Sequence, residues 1–329
     1  MDNQTNYIGV DLGGTHIRAG LVDSVSGQVL GFKQISTFAH EGHQVVISRM
    51  AGLVEDVIDS LGISISEVGG IGIGAPGSLD MEHGRTIFLT NLPGNWPNVP
   101  VCKEIEERVG LPAWIINDAR AMTFGEWRFG AGRGVQTMAC FTIGTGIGGG
   151  LVINGKLHLG IGGTSGELGH QTIIANGSIC GCGNHGCLET VASGPAIVTM
   201  GIRAVVQGLN SRIGEMVDYD LNRITPKVIY QAALTGDSIA IDIFEQVGAY
   251  IGIAIANILV SIGPNKVVIG GGVSQAGELL LEPVCRTVKE RVFLIPMSEV
   301  QILLAELGTN AGLVGAALWA KEQRSNPIS

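Results

Sequence analysis

Tyr7-Ile-Gly-Val-Asp11-Leu-Gly13-Gly14-Thr15-His16-Ile17-Arg18-Ala-Gly20-Leu21-Val22-Asp23 is the stretch that decides the architecture. An apolar run, a glycine turn and a second apolar run predict a β-hairpin, with Ser26-Gly27 marking the next turn. Glycines at a hairpin tip let backbone N–H groups approach anionic oxygens, and Asp11 beside them could hold a divalent cation directly or through water. Alone, so short a turn also fits an ordinary hairpin. A second copy gives it weight. Gly14, Thr15, Ile17, Gly20, Leu21 and Val22 recur in register as Gly144, Thr145, Ile147, Gly150, Leu151 and Val152, with Gly146 between them. Such self-similarity predicts two related lobes, each turning a strand-turn-strand toward a shared cleft.

Two phosphate-facing hairpins across a cleft are the arrangement of sugar kinases and actin-like ATPases. The 329 residues suffice for two such lobes. A net charge of -9, with Lys and Arg scattered, argues against a nucleic-acid surface and for small-molecule partners. Glycine reaches 51 residues while proline stays at 11, a pattern of tight turns and close backbone approaches rather than disorder. Met1 to Tyr7 carries no basic region ahead of an apolar one, so no secretory signal is read and the expected location is cytoplasmic. The apolar run Val247 to Ile262 falls short of the roughly 20 residues of a membrane span and predicts a buried core helix instead.

Working outward, His43 to Leu61 has helical apolar spacing, and Val68 to Ser78 reads as a buried strand entering a turn. Gly77 and Asn91 (in Thr90-Asn91-Leu-Pro-Gly-Asn-Trp96) are candidate pocket residues, although each also suits a plain turn. Leu111-Pro-Ala-Trp-Ile-Ile-Asn117-Asp118 is an apolar strand ending in polar residues, with a helix expected from Arg120 to Phe129. Ligand crevices of open α/β sheets lie beyond the carboxyl ends of strands, which makes Asp118 a candidate general base; the same residue type caps helices. Further on, Ser193 to Gln207 and Ile224 to Leu234 read as helices. Lys266-Val-Val-Ile-Gly270-Gly271-Gly272 is a strand meeting a third glycine turn, suited to the adenosine part of a nucleotide, and Leu307 to Lys321 reads as a turn into a closing helix.

Gly166-Glu167-Leu-Gly-His170 followed by Cys180-Gly-Cys182-Gly-Asn-His-Gly-Cys187-Leu-Glu189 carries the sharpest chemistry. One histidine and three cysteines at this spacing can close a four-ligand tetrahedral zinc site with no open position, hence a structural one; free thiols on a loop are the alternative. His185 is a rival ligand within the block. With one imidazole nitrogen on the metal, the other can offer a fixed hydrogen bond to a substrate oxygen. Asp118, Glu167, His170 and Glu189 together suit a polyhydroxylated sugar. Cys102, Cys140 and Cys285 stand alone and read as inert thiols.

Asp11-Leu-Gly-Gly-Thr, Gly74-Ala-Pro-Gly77, Asn117-Asp118-Ala, Gly144-Thr-Gly-Ile-Gly-Gly-Gly, Gly166-Glu-Leu-Gly-His170, the cysteine block and Gly270-Gly-Gly together resemble the ROK family of bacterial sugar kinases, repressors and open reading frames. The resemblance runs from Tyr7 to about Trp319. It implies an α/β, two-lobed actin-like ATPase (ribonuclease H-like) fold with a cleft between the lobes. Residues 1–118 with about 305–329 would form a small lobe, and 119–304 a large one carrying the zinc loop 166–189. It also implies phosphorylation of a hexose hydroxyl, glucose by default, by ATP with Mg2+; kinases for allose, fructose, mannose or N-acetylmannosamine, and a sugar sensor, are the alternatives. Asp118 would be the base; Gly77, Asn91, Asn117, Glu167, His170 and Glu189 would hold the sugar. Asp11, Gly13, Gly14, Thr15, His16, Gly144, Thr145, Gly146, Gly271 and Gly272 would meet the nucleotide. His170, Cys180, Cys182 and Cys187 would bind zinc, and a homodimer or tetramer is expected. The family often has Lys in place of His16 and Asn in place of Arg120, departures that bear on sugar preference. Repressors of this type carry a DNA-binding domain ahead of the first motif, where six residues precede Tyr7 here.

Overall fold

A computed structural model describes residues 4–89 and 92–326, so Asn91 lies outside the described residues. The hairpin forms as expected: β1 (Asn6–Leu12) runs antiparallel to β2 (His16–Asp23), placing Asp11 opposite Arg18 and Leu12 opposite Ile17. β3 (Val29–Ser36), α1 (His43–Leu61) and β4 (Val68–Ala75) follow, then a small β5 (Ser78–Asp80) and β6 (Arg85–Phe88) ribbon. α2 (Val101–Val109), β7 (Ala113–Asn117) and α3 (Asp118–Phe129) complete this half of the chain. β8 (Met138–Ile143), β9 (Ile147–Ile153) and β10 (Lys156–Leu157) come next. Four helices succeed them: α4 (Glu189–Ala192), α5 (Gly194–Val206), α6 (Pro226–Leu234) and α7 (Ser238–Ile262). The chain closes with β11 (Lys266–Gly270), α8 (Glu278–Arg291), β12 (Gln301–Leu304) and α9 (Ala311–Ser325).

Two compact units result. One holds the chain up to Gly134, Gly150–Gly166 and the chain from Glu306; the other holds Val135–Gly149 and Glu167–Ala305. The division falls after Gly134 rather than at Asp118, because α3 packs along α9 and stays with the first unit. The first sheet has strand order β3-β2-β1-β4-β7, with β1, β4 and β7 parallel. β4 is buried along its whole length, as a central parallel strand covered on both faces must be. On one face α1 inserts Val46, Met50, Val54 and Val57, each fully buried, with Gly62 ending the helix in the left-handed conformation. On the other face α9 lies against β1 and β4. A Cβ at Gly9 would sit 2.0 Å from the Leu313 carbonyl oxygen, and one at Gly72 would sit 1.7 Å from that of Ala316. These glycines serve helix-on-sheet contact, not a ligand.

The second sheet has order β10-β9-β8-β11-β12, the division between units passing within β9. β11 lies between β8 and β12, parallel to both. The apolar helix α7 is longer than the sequence run suggests. It starts at Ser238, where Asp237 caps it by accepting from the Ala240 N–H, and its 25 residues are long and apolar enough to cross a membrane. Its surroundings decide the matter: 61% of its most apolar window is buried, and it packs against α4, α5, α6 and α8 as the core helix of its unit.

Candidate active site and metal centre

In the first unit the carboxyl ends of β1, β4 and β7 converge, so that Asp11 aligns with Gly74 and Ala75 with Asn117. The helix cap at this corner is Asn117, not Asp118. Its Oδ1 accepts from the Ala119 and Arg120 N–H groups at 3.1 and 3.2 Å, while its Nδ2 donates to the Gly77 carbonyl at 3.2 Å. Asn117 thus spends most of its hydrogen-bonding capacity on the fold. Asp118 is the first residue of α3, half-buried, with Oδ1 accepting from the Ala119 N–H at 2.8 Å. Gly77 is held at φ 84, and a Cβ there would meet the Phe88 carbonyl oxygen at 2.2 Å, so no other residue fits this turn.

Asp11 lies near the carboxyl end of β1, within electrostatic reach of Asp118. Burial, then the charge of Asp118, raise its pKa to about 6, against an opposing pull from Arg18. The turn beside it leaves Gly14, Thr15 and His16 exposed, while the Gly13 N–H closes back on the His16 carbonyl at 3.0 Å. Two supports here escaped sequence reading. Arg18 donates to the Thr309 carbonyl and to Asn310 Oδ1, tying the hairpin to the start of α9. Buried Glu126 accepts from the N–H groups of Ala131, Glu306 and Leu307, fixing the approach to that helix. A basic residue cross-strand from a carboxylate was the signal for Arg18; for Glu126 only tertiary contact carries one. Arg120, 2% exposed, donates from Nε to the Ser165 carbonyl at 2.9 Å.

In the second unit β8 and β11 lie side by side with Thr142 opposite Gly270, so the hairpin tip at Gly144-Thr145-Gly146 and the turn at Gly271-Gly272 leave the same edge. Gly271 has φ 87 and packs on Ile143, where a Cβ would come within 2.4 Å of the carbonyl oxygen. Thr145, Gly271 and Gly272 are exposed.

The cysteine block folds into a compact loop closed by antiparallel bridges between Thr172 and Cys187 and between Ile179 and His185. One ligand atom from each of His170, Cys180, Cys182 and Cys187 lies within 4.8 Å of every other. The Sγ atoms of Cys182 and Cys187 are 3.8 Å apart, and Cys180 Sγ is 3.5 Å from His170 Nδ1. A tetrahedral ion with bonds of about 2.3 Å to sulfur and 2.0 to 2.1 Å to nitrogen sets its ligands about 3.5 to 3.8 Å apart. Two of the contacts match those dimensions, and the whole set lies close enough that the loop could hold a metal ion. Without a cation, burial pushes Cys180 up to about 12 and also raises Cys187, whereas the Asn184 backbone N–H holds Cys182 below the usual thiol range. A bound dication would reverse that protonation. His185 is not in the cluster; its Nδ1 faces the Gly177 carbonyl at 3.4 Å.

His170 Nε2 lies 4.0 Å from Glu167 Oε2, so these two sequence-predicted residues do meet. Glu167 is exposed. Glu189 is not simply displayed to a ligand. Its Oε2 accepts from the Ile147 N–H at 2.8 Å, at the tip of the β8–β9 hairpin.

Comparison with known proteins places this arrangement. The chain belongs to the ROK family, matched over residues 7–323. It is 37% identical to a glucokinase of Thermotoga maritima over 316 residues, 96% of this chain and 97% of that one. A solved ROK family glucokinase from Streptomyces griseus, in complex with glucose and AMPPNP, superposes with TM-score 0.83 at 35% identity, covering 96% of this chain and 99% of that one. A xylose repressor of Caldicellulosiruptor bescii is 32% identical over 94% of this chain but only 76% of its own length. The fold is accordingly the two-lobed actin-like ATPase class of the ROK sugar kinases.

Proposed function

We propose that this protein is an ATP-dependent hexose kinase that converts glucose to glucose 6-phosphate. The observation that carries the reading is a near full-length match to glucokinases combined with Asp118 at the carboxyl edge of β7 beside the Asp11 hairpin. Asp118 accepts the proton of the hydroxyl at carbon 6 as that oxygen attacks the γ-phosphoryl group of Mg-ATP in line; the new P–O bond forms as the bond to ADP breaks. Asp11 and the exposed residues Gly14, Thr15 and His16 are assigned to Mg-ATP phosphates, as are Gly13, Gly144, Thr145 and Gly146, with Gly271 and Gly272 under the adenosine. Much of the rate then comes from positioning and charge neutralisation. Glu167, His170, Glu189, Asn91 and Asn117 are assigned to sugar hydroxyls, Asn117 through its remaining Nδ2 hydrogen.

The donor set favours zinc at the cysteine cluster, where a closed four-ligand site supplies rigidity and no activated water. His170 would bind it through Nδ1, leaving Nε2 beside Glu167 for a sugar oxygen. Reduced thiols and ATP share the cytoplasm, the location this reading requires. Release of ADP from Mg-ATP against a panel of hexoses and N-acetylhexosamines tests it, with metal content measured on the same preparation. Clear preference for glucose supports the reading; preference for another sugar moves the substrate within the class. Silence on every sugar, with sugar binding still detectable by calorimetry, overturns it in favour of a sensor.

A further inference from the structure

We infer that the metal loop is also a clamp on the second glycine hairpin, with Glu189 as the positioning residue that aims this hairpin at nucleotide phosphates. The link to nucleotide rests on the kinase reading; the clamp itself does not. Two segments grip the tip. On one side lie Leu168 and Gly169: a Cβ at Gly169 would fall 1.9 Å from the Ile147 carbonyl oxygen, and Leu168 Cδ1 lies 2.8 Å from where a Cβ of Gly149 would stand. On the other side Glu189 Oε2 accepts from the Ile147 N–H, and the Gly194 N–H donates to the Gly144 carbonyl at 2.8 Å. A Cβ at Gly146 would come within 2.4 Å of the same Glu189 oxygen, so the tip and the carboxylate are fitted to each other.

The metal ligands join these two segments. His170 follows Gly169 directly and Cys187 precedes Glu189 by two residues. Between them, the Leu188 N–H donates to the Gln171 carbonyl at 2.9 Å, and the Cys187 thiol faces the His170 carbonyl at 3.5 Å. Glu189 Oε1 lies 3.7 Å from Cys180 Sγ. An ion held by His170 and the cysteines would therefore keep both jaws against Ile147. A site expected to serve only the sugar reaches the nucleotide side as well, through the carboxylate that follows its last cysteine by two residues.

The test compares Glu189→Gln, which keeps an acceptor oxygen for Ile147, with Glu189→Leu, which keeps the bulk and loses it. Two quantities are read: hydrogen exchange at the Ile147 amide in the ligand-free protein, and Mg-ADP affinity without sugar. Wild type stripped of metal by a chelator is a third sample, independent of any substitution. The Leu variant and the stripped protein should exchange at least about tenfold faster at Ile147 and bind Mg-ADP roughly tenfold more weakly, the scale of one lost bond to a charged acceptor. The Gln variant should stay within about threefold of wild type on both, even where its sugar affinity falls. Unchanged exchange in both the Leu variant and the stripped protein, or a Gln variant as defective as the Leu one, overturns the clamp. Failure of wild type to bind Mg-ADP tells instead against the kinase reading, while the exchange rates still judge the clamp.

Discussion

The hairpins at Gly13–His16 and Gly144–Ile147 share a sequence pattern and are held by unlike means. The first is fastened from its own sheet and from α9: Thr37 donates from Oγ1 to the Gly13 carbonyl at 2.7 Å, and Arg18 reaches Thr309 and Asn310. The second is gripped by a thiol-rich loop and a carboxylate. Their sheets match strand for strand, β3-β2-β1-β4-β7 against β10-β9-β8-β11-β12. One topology, used twice, thus presents a glycine tip at the carboxyl edge of parallel strands, and the local attachments set what each tip does. Beside the first stand two carboxylates, Asp11 and Asp118; beside the second stands a cluster of three thiols and an imidazole.

The contrast can be broken most severely at the carboxylates. Asp118→Asn should cut turnover by roughly 10² to 10⁴, the contribution of a positioned base, while calorimetry still detects sugar and Mg-ADP. Turnover within a few fold of wild type would remove Asp118 from that role. Next come the glycines, which look alike in sequence and differ in packing. Gly72→Ala should lower stability by about 3 kcal/mol or more in denaturant unfolding, since its Cβ would drive into α9 at 1.7 Å from the Ala316 carbonyl oxygen. Gly144→Ala should leave stability within about 0.5 kcal/mol, because its Cβ meets open space among the described residues, yet weaken Mg-ADP binding.

The smallest effect is pH-dependent. Asp11 has a folded pKa of about 6 against the ordinary 3.8, so the ligand-free fold prefers its protonated form. The folded state then binds more protons between these values, and stability falls as pH rises through that window. Asp11→Asn should therefore match wild type below about pH 4 and exceed it by about 1 to 2 kcal/mol at pH 8, after allowing for partial exposure. Thermal unfolding at the two pH values reads this directly. A variant that gains nothing at pH 8 would show that Asp11 ionises without penalty.

Much of the fold was legible in local pattern. α1 spans His43–Leu61 as its apolar spacing predicts, and α7 ends at Ile262, where its apolar run does, with Gly263 as the cap. Periodicity and turn chemistry act within a few residues, so short-range physics suffices there. That His170, Cys180, Cys182 and Cys187 come together was equally legible, because thiol and imidazole spacing along a loop already limits the geometry. Which asparagine or aspartate capped α3 was not, since both residue types cap well and only backbone torsions choose between Asn117 and Asp118. Nor was the span of α7, whose first nine residues, Ser238 to Gln246, are interrupted by Asp242, Glu245 and Gln246 ahead of the apolar run.

By itself the sequence determined that two related strand-turn-strand motifs exist, that one loop carries a four-ligand thiol and imidazole set, and that Asp118 stands where an apolar strand gives way to a helix. Only the tertiary structure decided which glycines stand beside open space and which admit α9, and that Glu189 sets one oxygen on the Ile147 N–H and the other near Cys180. The physical reason is range: hydrophobic period and ligand spacing are properties of neighbouring residues. A carbonyl 1.7 Å from where a Cβ would stand, or a carboxylate on an N–H from a distant strand, exists only once packing brings remote segments together.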